Sequence, residues 1–488
     1  MELMATPGRG QALYEELKAR ILDNTYPAGT ALPSTRACAA ERGLSRTTVT
    51  MVYEQLASEG YLHSRPGAAS RVAGGLHKKP TSNASERPLT IKKAIEKLPA
   101  LSAYGRNVAS LPPQPVSPEA SGLLDFSYGP LASTDFPTLR WAKIARKVDV
   151  SRGGRLAYID PFGDLTLRQE LQAYLSRARG LTCDVEQLMI SSGSQQVLDM
   201  CARILVDQGD VVVVENPGYK MAHRVFQAVG ARLHGVHVDQ HGLVTSELPK
   251  GGARLAYVTP THQFPLGSFL TMPRRRDLLS WASSAGAWLV EDDYDGEYRY
   301  AIKPEESLHS LDPDGRVIYV GTFSKTLSPQ LRLGYAVLPD ALVEPFKKAK
   351  QLMDRHAAVS HQRVLGTMLA DGSYDRHVRR MRRVQLARRT ALLEALDKHL
   401  GRSVEVQGAA SGLHLVVWLN YLRPADEARL VDAARNAGVL VNAVSPLYLE
   451  KERPKVAGLI LGYSLLEASN IEIGVKRLSN VIKKLCPP

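Results

Sequence analysis

Long apolar runs are missing from this 488-residue chain. No stretch reaches the roughly eighteen apolar residues of a membrane span, so none is expected. The N-terminal MELMATPGRGQALYEEL has no basic-then-apolar order, so a secretory signal is not expected either. Cysteine is scarce: Cys38, Cys183, Cys201 and Cys486 are scattered, with no CxxC pair. That spacing argues against a disulfide framework and a zinc site, so no metal is expected, and it suits a reducing, cytoplasmic location. No internal repeat is evident.

What is present is ordinary for a globular protein: 44% hydrophobic and 23% charged residues. The length is too great for one small core and predicts two or three domains. Lys+Arg exceed Asp+Glu by 62 to 49, a net charge of +13. Such an excess attracts polyanions without specifying one.

Residues 8–74 carry the first organised pattern. QALYEELKARILD places Leu13, Leu17 and Ile21 on one helical face. Ser34 follows a proline and can cap a short helix with Ala37, Ala39 and Ala40. Arg42-Gly43-Leu44 makes a tight turn, and Ser45 caps a longer helix to about Ser58. Two helices joined by a glycine turn predict a helix-turn-helix, and the alternation around Pro66-Gly67 predicts a β-hairpin wing. Polar residues Ser45, Arg46, Thr47, Thr48 and Thr50 fall at the N-terminal end of the second helix, where base edges are met, while Val49, Val52, Tyr53 and Leu56 face inward. Arg36, Arg65 and Arg71 are placed to reach phosphates. A small three-helix packing module is the plainer alternative. The order LPSTR, GLSRTTV, YEQLASEGYL, with the wing, resembles the winged-helix domain of GntR-type transcription regulators, which implies double-stranded DNA as a partner.

Residues 75–122 are rich in proline, serine and charge and are expected to be a linker. From 123 to 488, apolar strand-like runs alternate with helical ones: LMISS, VVVVE, ARLHGVHVD, RLAYVTP, AWLVEDD, RVIYVGTFSK and LGYAVLP. That pattern predicts a mostly parallel α/β sheet covered on both faces. From about 345 onward helices dominate, with strands at LHLVVWLN and GLILGYS, which predicts a smaller α/β subdomain over about 345–488. RHVRRMRRVQLARR holds seven arginines on a predicted helix, read as a solvated face in preference to a DNA groove.

Polar motifs cluster at the strand ends, where open α/β sheets bind ligands. SSGSQQ follows a strand and opens a helix, a setting that favours an anion. VENPGYK supplies Tyr219, an aromatic that can stack on a ring. EDDYDGEYRY puts Asp292 at a strand end and Tyr294 two residues on, and GTFSK supplies Lys325. A buried carboxylate at a strand end is costly unless it meets a cation. A lysine amine, an acid for a ring nitrogen and a phosphate cradle are the needs of pyridoxal 5'-phosphate.

The combination resembles fold-type I pyridoxal-phosphate proteins of the aspartate aminotransferase kind. The whole chain, through EDDYDGEYRY, THQFPLG and GTFSKTLSPQLRLGY, resembles the MocR/GabR subfamily of GntR regulators: a winged helix fused to an aminotransferase-like domain. The resemblance implies that Lys325 forms the internal aldimine, Asp292 meets the pyridinium nitrogen, Tyr294 donates to the phenolic oxygen and Tyr219 stacks on the ring. It assigns Ser194, Gln195, Ser324 and Arg332 to the phosphate, and Tyr158 to the partner subunit's phosphate. A homodimer reading repeated half-sites on its operator follows from the same resemblance.

Two positions depart from the pattern. Ile460 stands in GLILGYS where many aminotransferases place the arginine that fixes a substrate carboxylate. Met221 stands where the GABA-sensing member of the subfamily has another arginine. Neither side chain can clamp a carboxylate. The expected function is a DNA-binding regulator that senses a small amine, an amino-sulfonate or pyridoxal phosphate itself, through displacement of Lys325. The chain is not expected to sense GABA or to transaminate ordinary amino acids well. A true aminotransferase with an accessory DNA-binding module, and a regulator that no longer binds cofactor, are the alternatives.

Overall fold

The computed structural model describes residues 8–64, 68–75, 100–113, 122–151, 157–300, 306–449 and 454–485. The chain divides into two compact units, Met1–Pro99 and Ala100–Pro488.

In the first unit, helices α1 (Arg9–Leu22), α2 (Thr35–Arg42) and α3 (Arg46–Ser58) precede a two-stranded hairpin, β1 (Leu62–His63) with β2 (Arg71–Val72). Local chemistry sets the boundaries. Ser34 Oγ accepts the Ala37 N–H at 3.1 Å to start α2, and Ser45 Oγ accepts the Thr48 N–H at 3.0 Å to start α3. Between them Gly43 adopts φ 63°, a left-handed conformation that a side chain would oppose. The apolar faces close on one core of Leu13, Tyr14, Leu17, Ile21, Val49, Val52, Tyr53 and Leu56. Each such aliphatic side chain contributes about 1.5–3 kcal/mol on burial.

The second unit is built on an eight-stranded sheet. Its strands are β4 (Leu188–Ser191), β5 (Val211–Asn216), β6 (Arg232–Asp239), β7 (Gly242–Leu243), β8 (Ala253–Val258), β9 (Trp288–Asp293), β10 (Val317–Thr322) and β11 (Gly334–Val337), in the order β4-β11-β10-β9-β8-β5-β6-β7. The centre, from β10 through β6, is parallel, and β11, β4 and β7 run antiparallel to their neighbours. Successive side chains alternate between two cores. Val212, Val214, Leu255 and Tyr257 enter one, while Val213, Ala256, Val258 and Leu289 enter the other. Burial on both faces explains the continuous apolar runs in these strands.

A second layer holds an antiparallel sheet of β12 (Val404–Gln407), β13 (His414–Leu419), β16 (Ala457–Gly462) and β15 (Asn442–Ala443), in that order. Helices Ser373–His399, Glu427–Asn436 and Ala468–Leu485 cover it through Leu392, Leu396, Leu430, Ile471 and Val475. This layer also takes in an early piece of chain. β3 (Leu124–Asp125) pairs in parallel with β14 (Val439–Leu440), and Phe126 is fully buried in the same core.

Of the stretch expected to be a linker, residues 76–99 and 114–121 lie outside the described residues. Ala103–Ser110 forms a helix capped by Ser102, and it is anchored on the second unit. Asn107 Nδ2 donates to Ala228 O at 3.2 Å, and Arg203 donates to Tyr104 Oη at 2.8 Å while lying over its ring. The linker reading omitted this docked segment because its composition is polar and its partners lie far along the chain.

Candidate functional site

β9 ends in a run of carboxylates, and Asp292 among them is only 4% exposed. Its Oδ2 accepts the Tyr257 hydroxyl at 2.7 Å, whereas its Oδ1 is buried with no partner. Burial pushes the Asp292 carboxyl up to about 7, with Asp293 and Asp295 adding to the rise against the Tyr257 hydrogen bond and Lys325. An unpartnered buried carboxylate oxygen is a seat for a cationic donor.

Lys325 lies in the connection that reverses the chain from β10 to β11. The backbone there is held from two sides. Tyr298 Oη donates to Lys325 O at 2.9 Å, and His377 Nε2 lies 2.7 Å from Thr326 O. Lys325 Nζ donates to Gly129 O at 3.2 Å and sits 4.4 Å from the centre of the Tyr128 ring. Burial lowers this ammonium to about 8, against the opposing pull of Asp295 and Asp292. Burial thus favours loss of the proton that must leave before the amine can act as a nucleophile.

Arg332, further along the same connection, has φ 51° and donates through Nη2 to Ser192 O at 2.8 Å. That guanidinium lies at the start of helix Ser194–Leu205, where Ser194 and Gln195 are half-buried. Gly193 (φ 85°) makes room for it, since a Cβ there would fall 2.7 Å from Arg332 Nη2. Gly334 allows the same close approach, because its Cβ would lie 2.8 Å from Ser194 N. Helix N–H groups without intrahelical acceptors, a fixed guanidinium and no intruding Cβ together form an anion cradle. Ser324 sits beside Lys325 and donates its N–H to Thr322 Oγ1 at 3.2 Å.

Tyr219 immediately precedes helix Lys220–Ala228 and meets Phe264 edge-on at 5.8 Å; burial raises its phenol to about 12. Tyr294 is buried, with its hydroxyl 3.0 Å from His262 Nδ1. Tyr128, Phe264 and His414 complete an aromatic wall around it. Burial lowers the His414 imidazole to about 3, so it is neutral, and its Nε2 lies 2.9 Å from Pro265 O. Ile460 on β16, 4% exposed, joins Val416 and Val444 behind this wall. Met221, in the first turn of its helix, is half-buried. Both positions that could have held a carboxylate clamp are thus apolar.

The structure gathers Asp292, Tyr294 and Lys325, and separately Ser194, Ser192 and Arg332. Tyr158 is placed differently: it is 71% exposed, with Arg355 lying 4.3 Å over its ring and His356 beside it. Residue-by-residue reasoning overlooked Tyr128, Gly129, Tyr257, His262, Asp295 and His414. A signal existed for His262, which belongs to the singled-out THQFPLG motif, and for Asp295 within EDDYDGEYRY. His262, Asp295 and His414 bring donor atoms within 4.8 Å of one another, all buried.

On the first unit, Arg36, Arg46 and Thr47 are exposed, and their side chains have no hydrogen-bond partner among the described residues. Ser45 and Thr48 share a hydroxyl contact of 2.7 Å at the cap, and Thr50 Oγ1 donates back to Arg46 O at 2.9 Å. Arg71 is exposed but donates to Gly29 O at 2.8 Å, bracing the wing. Arg65 lies outside the described residues.

The seven-arginine segment is more than a solvated face. Arg376, Arg379, Arg380, Arg382 and Arg383 are exposed, yet Arg376 donates to Asp371 O, Arg380 to Asp135 O and Arg382 to Glu297 O, as half-buried Arg389 does to Ala409 O. Arg388 is buried, with Nη1 at 2.6 Å from Asp135 Oδ2 and 3.0 Å from Ser464 O. These guanidinium groups tie separate loops to one helix.

Comparison with known proteins places both units. The family described as bacterial regulatory proteins, gntR family, matches residues 9–72, and aminotransferase class I and II matches residues 125–458. The chain is 33% identical over 473 residues to the HTH-type transcriptional regulator YhdI of Bacillus subtilis, covering 96% of this chain and 94% of that protein. It is 32% identical over 476 residues to a probable rhizopine catabolism regulatory protein, MocR, of Rhizobium meliloti, covering 97% and 93%. Among solved structures, the kynurenine aminotransferase of Pyrococcus horikoshii in complex with PMP aligns with a TM-score of 0.70 at 27% identity, covering 81% of this chain and 97% of that one.

Proposed function

Since the chain belongs to the MocR-type regulators of the gntR family, with an aminotransferase class I and II domain as its second unit, we propose that this domain binds pyridoxal 5'-phosphate at Lys325 and uses it to sense a small amine. One observation carries the reading: a buried, unpartnered Asp292 Oδ1 in the electrostatic reach of a lysine amine lowered to about 8. When bound, the cofactor supplies an aldehyde that condenses reversibly with a primary amine, releasing water.

This chain's residues divide the remaining work. Asp292 receives the ring nitrogen's N–H, and that cation relieves the burial cost of its carboxylate. Tyr219 covers the ring, and Tyr294 donates to its oxygen. Ser194, Gln195, Ser324 and Arg332 hold the phosphate. Tyr158 is exposed enough to serve a neighbouring copy in a homodimer. Lys325 is the resident amine, and an effector amine competes with it. An effector that fits one arrangement of the domain better than another shifts the balance between them and so modulates operator binding. Residues 8–74 would carry DNA binding through Arg36, Ser45, Arg46, Thr47, Thr48, Thr50, Arg65 and Arg71. Residues 75–122 would connect them to the effector domain, 123–488, with its smaller part over about 345–488, and the protein would act in the cytoplasm.

Ile460 and Met221 favour an effector without a carboxylate, or the cofactor itself, and argue against efficient turnover of ordinary amino acids. Weak transaminase activity is the second reading, supported by the aminotransferase fold and the intact Lys325–Asp292 pair. Footprinting on the DNA flanking the protein's own gene, with and without pyridoxal phosphate, tests the regulator. A footprint that ignores the cofactor would contradict it. Amino-donor screening with a keto acid tests the enzyme, and turnover at enzyme-like rates would replace the regulator-only reading.

A further inference from the structure

Asp295 is 2% exposed, and among the described residues its side-chain oxygens reach only His262 Nδ1, at 3.0 and 3.2 Å. An ionised carboxylate can only accept, so the nitrogen that satisfies it carries a proton. This sets the His262 tautomer at Nδ1–H. The Tyr294 hydroxyl lies 3.0 Å from that same Nδ1. A protonated Nδ1 cannot accept from the phenol, so the Tyr294 proton is directed elsewhere. The pair is enclosed by the chain itself. Gly412 (φ 80°) passes so close that a Cβ would fall 2.0 Å from His262 Cε1 and 2.8 Å from Asp295 Oδ2.

We infer that Asp295 and His262 form a positioning pair that commits the Tyr294 proton to the ring oxygen of the bound cofactor. The inference rests on the pyridoxal-phosphate reading above and adds to it two buried residues that need not touch the cofactor. A tyrosine that donates to the ring oxygen stabilises its anionic form and lowers the pH at which the lysine–cofactor link loses its proton. Other charged or titratable groups face this hydroxyl. Asp292 and Asp295 come from its own segment, and Tyr128, Tyr257 and His262 come from neighbouring elements. These set the absolute midpoint, and Asp292, Tyr128 and Tyr257 are unchanged in the comparison of variants.

The test is a pH titration of the visible absorbance of the full-length protein loaded with pyridoxal phosphate. Tyr294→Phe is expected to raise the midpoint by about one pH unit, the scale of one charge-assisted hydrogen bond. Asp295→Asn is expected to move it in the same direction by at least half of that shift, because the amide lets Nδ1 accept and draws the Tyr294 proton away. The double variant should move no further than Tyr294→Phe alone. Two histidine substitutions separate positioning from packing and decide the matter if Asp295→Asn does not fold. His262→Asn, whose amide nitrogen takes the place of Nδ1, should keep the native midpoint, and His262→Gln should raise it. If Asp295→Asn and His262→Gln leave the midpoint in place while Tyr294→Phe moves it, the positioning pair is refuted and the Tyr294 assignment stands. If Tyr294→Phe itself leaves the midpoint unmoved, the Tyr294 assignment fails and the inference falls with it. A wild-type protein that takes up no cofactor overturns the reading beneath both.

Discussion

The Arg46 and Thr47 side chains at the start of α3 stand in solvent without partners among the described residues, whereas Asp292 and Tyr294 are withdrawn behind strands and rings, with Lys325 beside them. Both sets await something outside the chain, but by opposite physics. An exposed cation is well hydrated and screened by salt, so it suits the phosphates of a polymer that must be gripped and released. A buried carboxylate and a desolvated amine are perturbed before any ligand arrives, and that perturbation favours one small, complementary group. The difference teaches that the two units should respond to different variables, ionic strength at one and pH at the other.

The largest expected effect separates the units. Lys325→Ala should abolish the visible band of bound pyridoxal phosphate while leaving the thermal transition of the winged helix in place; a retained band, read by absorbance, would break the contrast. Next, raising salt from 50 to 200 mM should weaken operator binding by about a thousandfold while the cofactor stays bound. Arg46→Ala should cost about 1–3 kcal/mol of operator binding and flatten the salt dependence, measured by fluorescence anisotropy.

Asp292→Asn should weaken cofactor binding by about tenfold or more, followed by dialysis and absorbance. It should also stabilise the cofactor-free protein, with a pH signature. The folded Asp292 carboxyl lies near 7, above its unfolded value of 3.8. The folded state therefore holds the extra proton between those values, and wild-type stability falls as pH rises through that window. The gap in melting temperature between Asp292→Asn and wild type should open between about pH 4 and 7 and then stay constant. Smallest, Ser45→Ala should cost about 1 kcal/mol of first-unit stability through loss of the α3 cap, seen by calorimetry, with no change in the cofactor band.

The parts legible in the sequence are those whose causes are local. Ser34 and Ser45 cap helices that begin one residue later, and Gly43 supplies a left-handed turn within the same stretch. Asp292 and Lys325 were legible because each ends or follows a long apolar strand. What escaped depends on partners distant in the chain. Asp295 meets His262 only because β8 and β9 lie side by side, and Arg388 meets Asp135 across the second unit. Strand direction escaped too. LGYAVLP is as apolar as its parallel neighbours, and nothing in that run encodes the reversal of β11.

That reversal makes Lys325 and Arg332 two ends of one strap. One end carries the amine and the other is fastened at the start of helix Ser194–Leu205 through Ser192 O. Next to the amine, Thr326 is tied by its carbonyl to His377 of the long arginine-bearing helix, which also gathers loops from Asp135, Glu297 and Ala409. Slack let out at Lys325 cannot be taken up at the fastened end without loosening Arg332. Backbone movement at Lys325 would therefore load the Thr326–His377 contact, and with it the helix that gathers those loops.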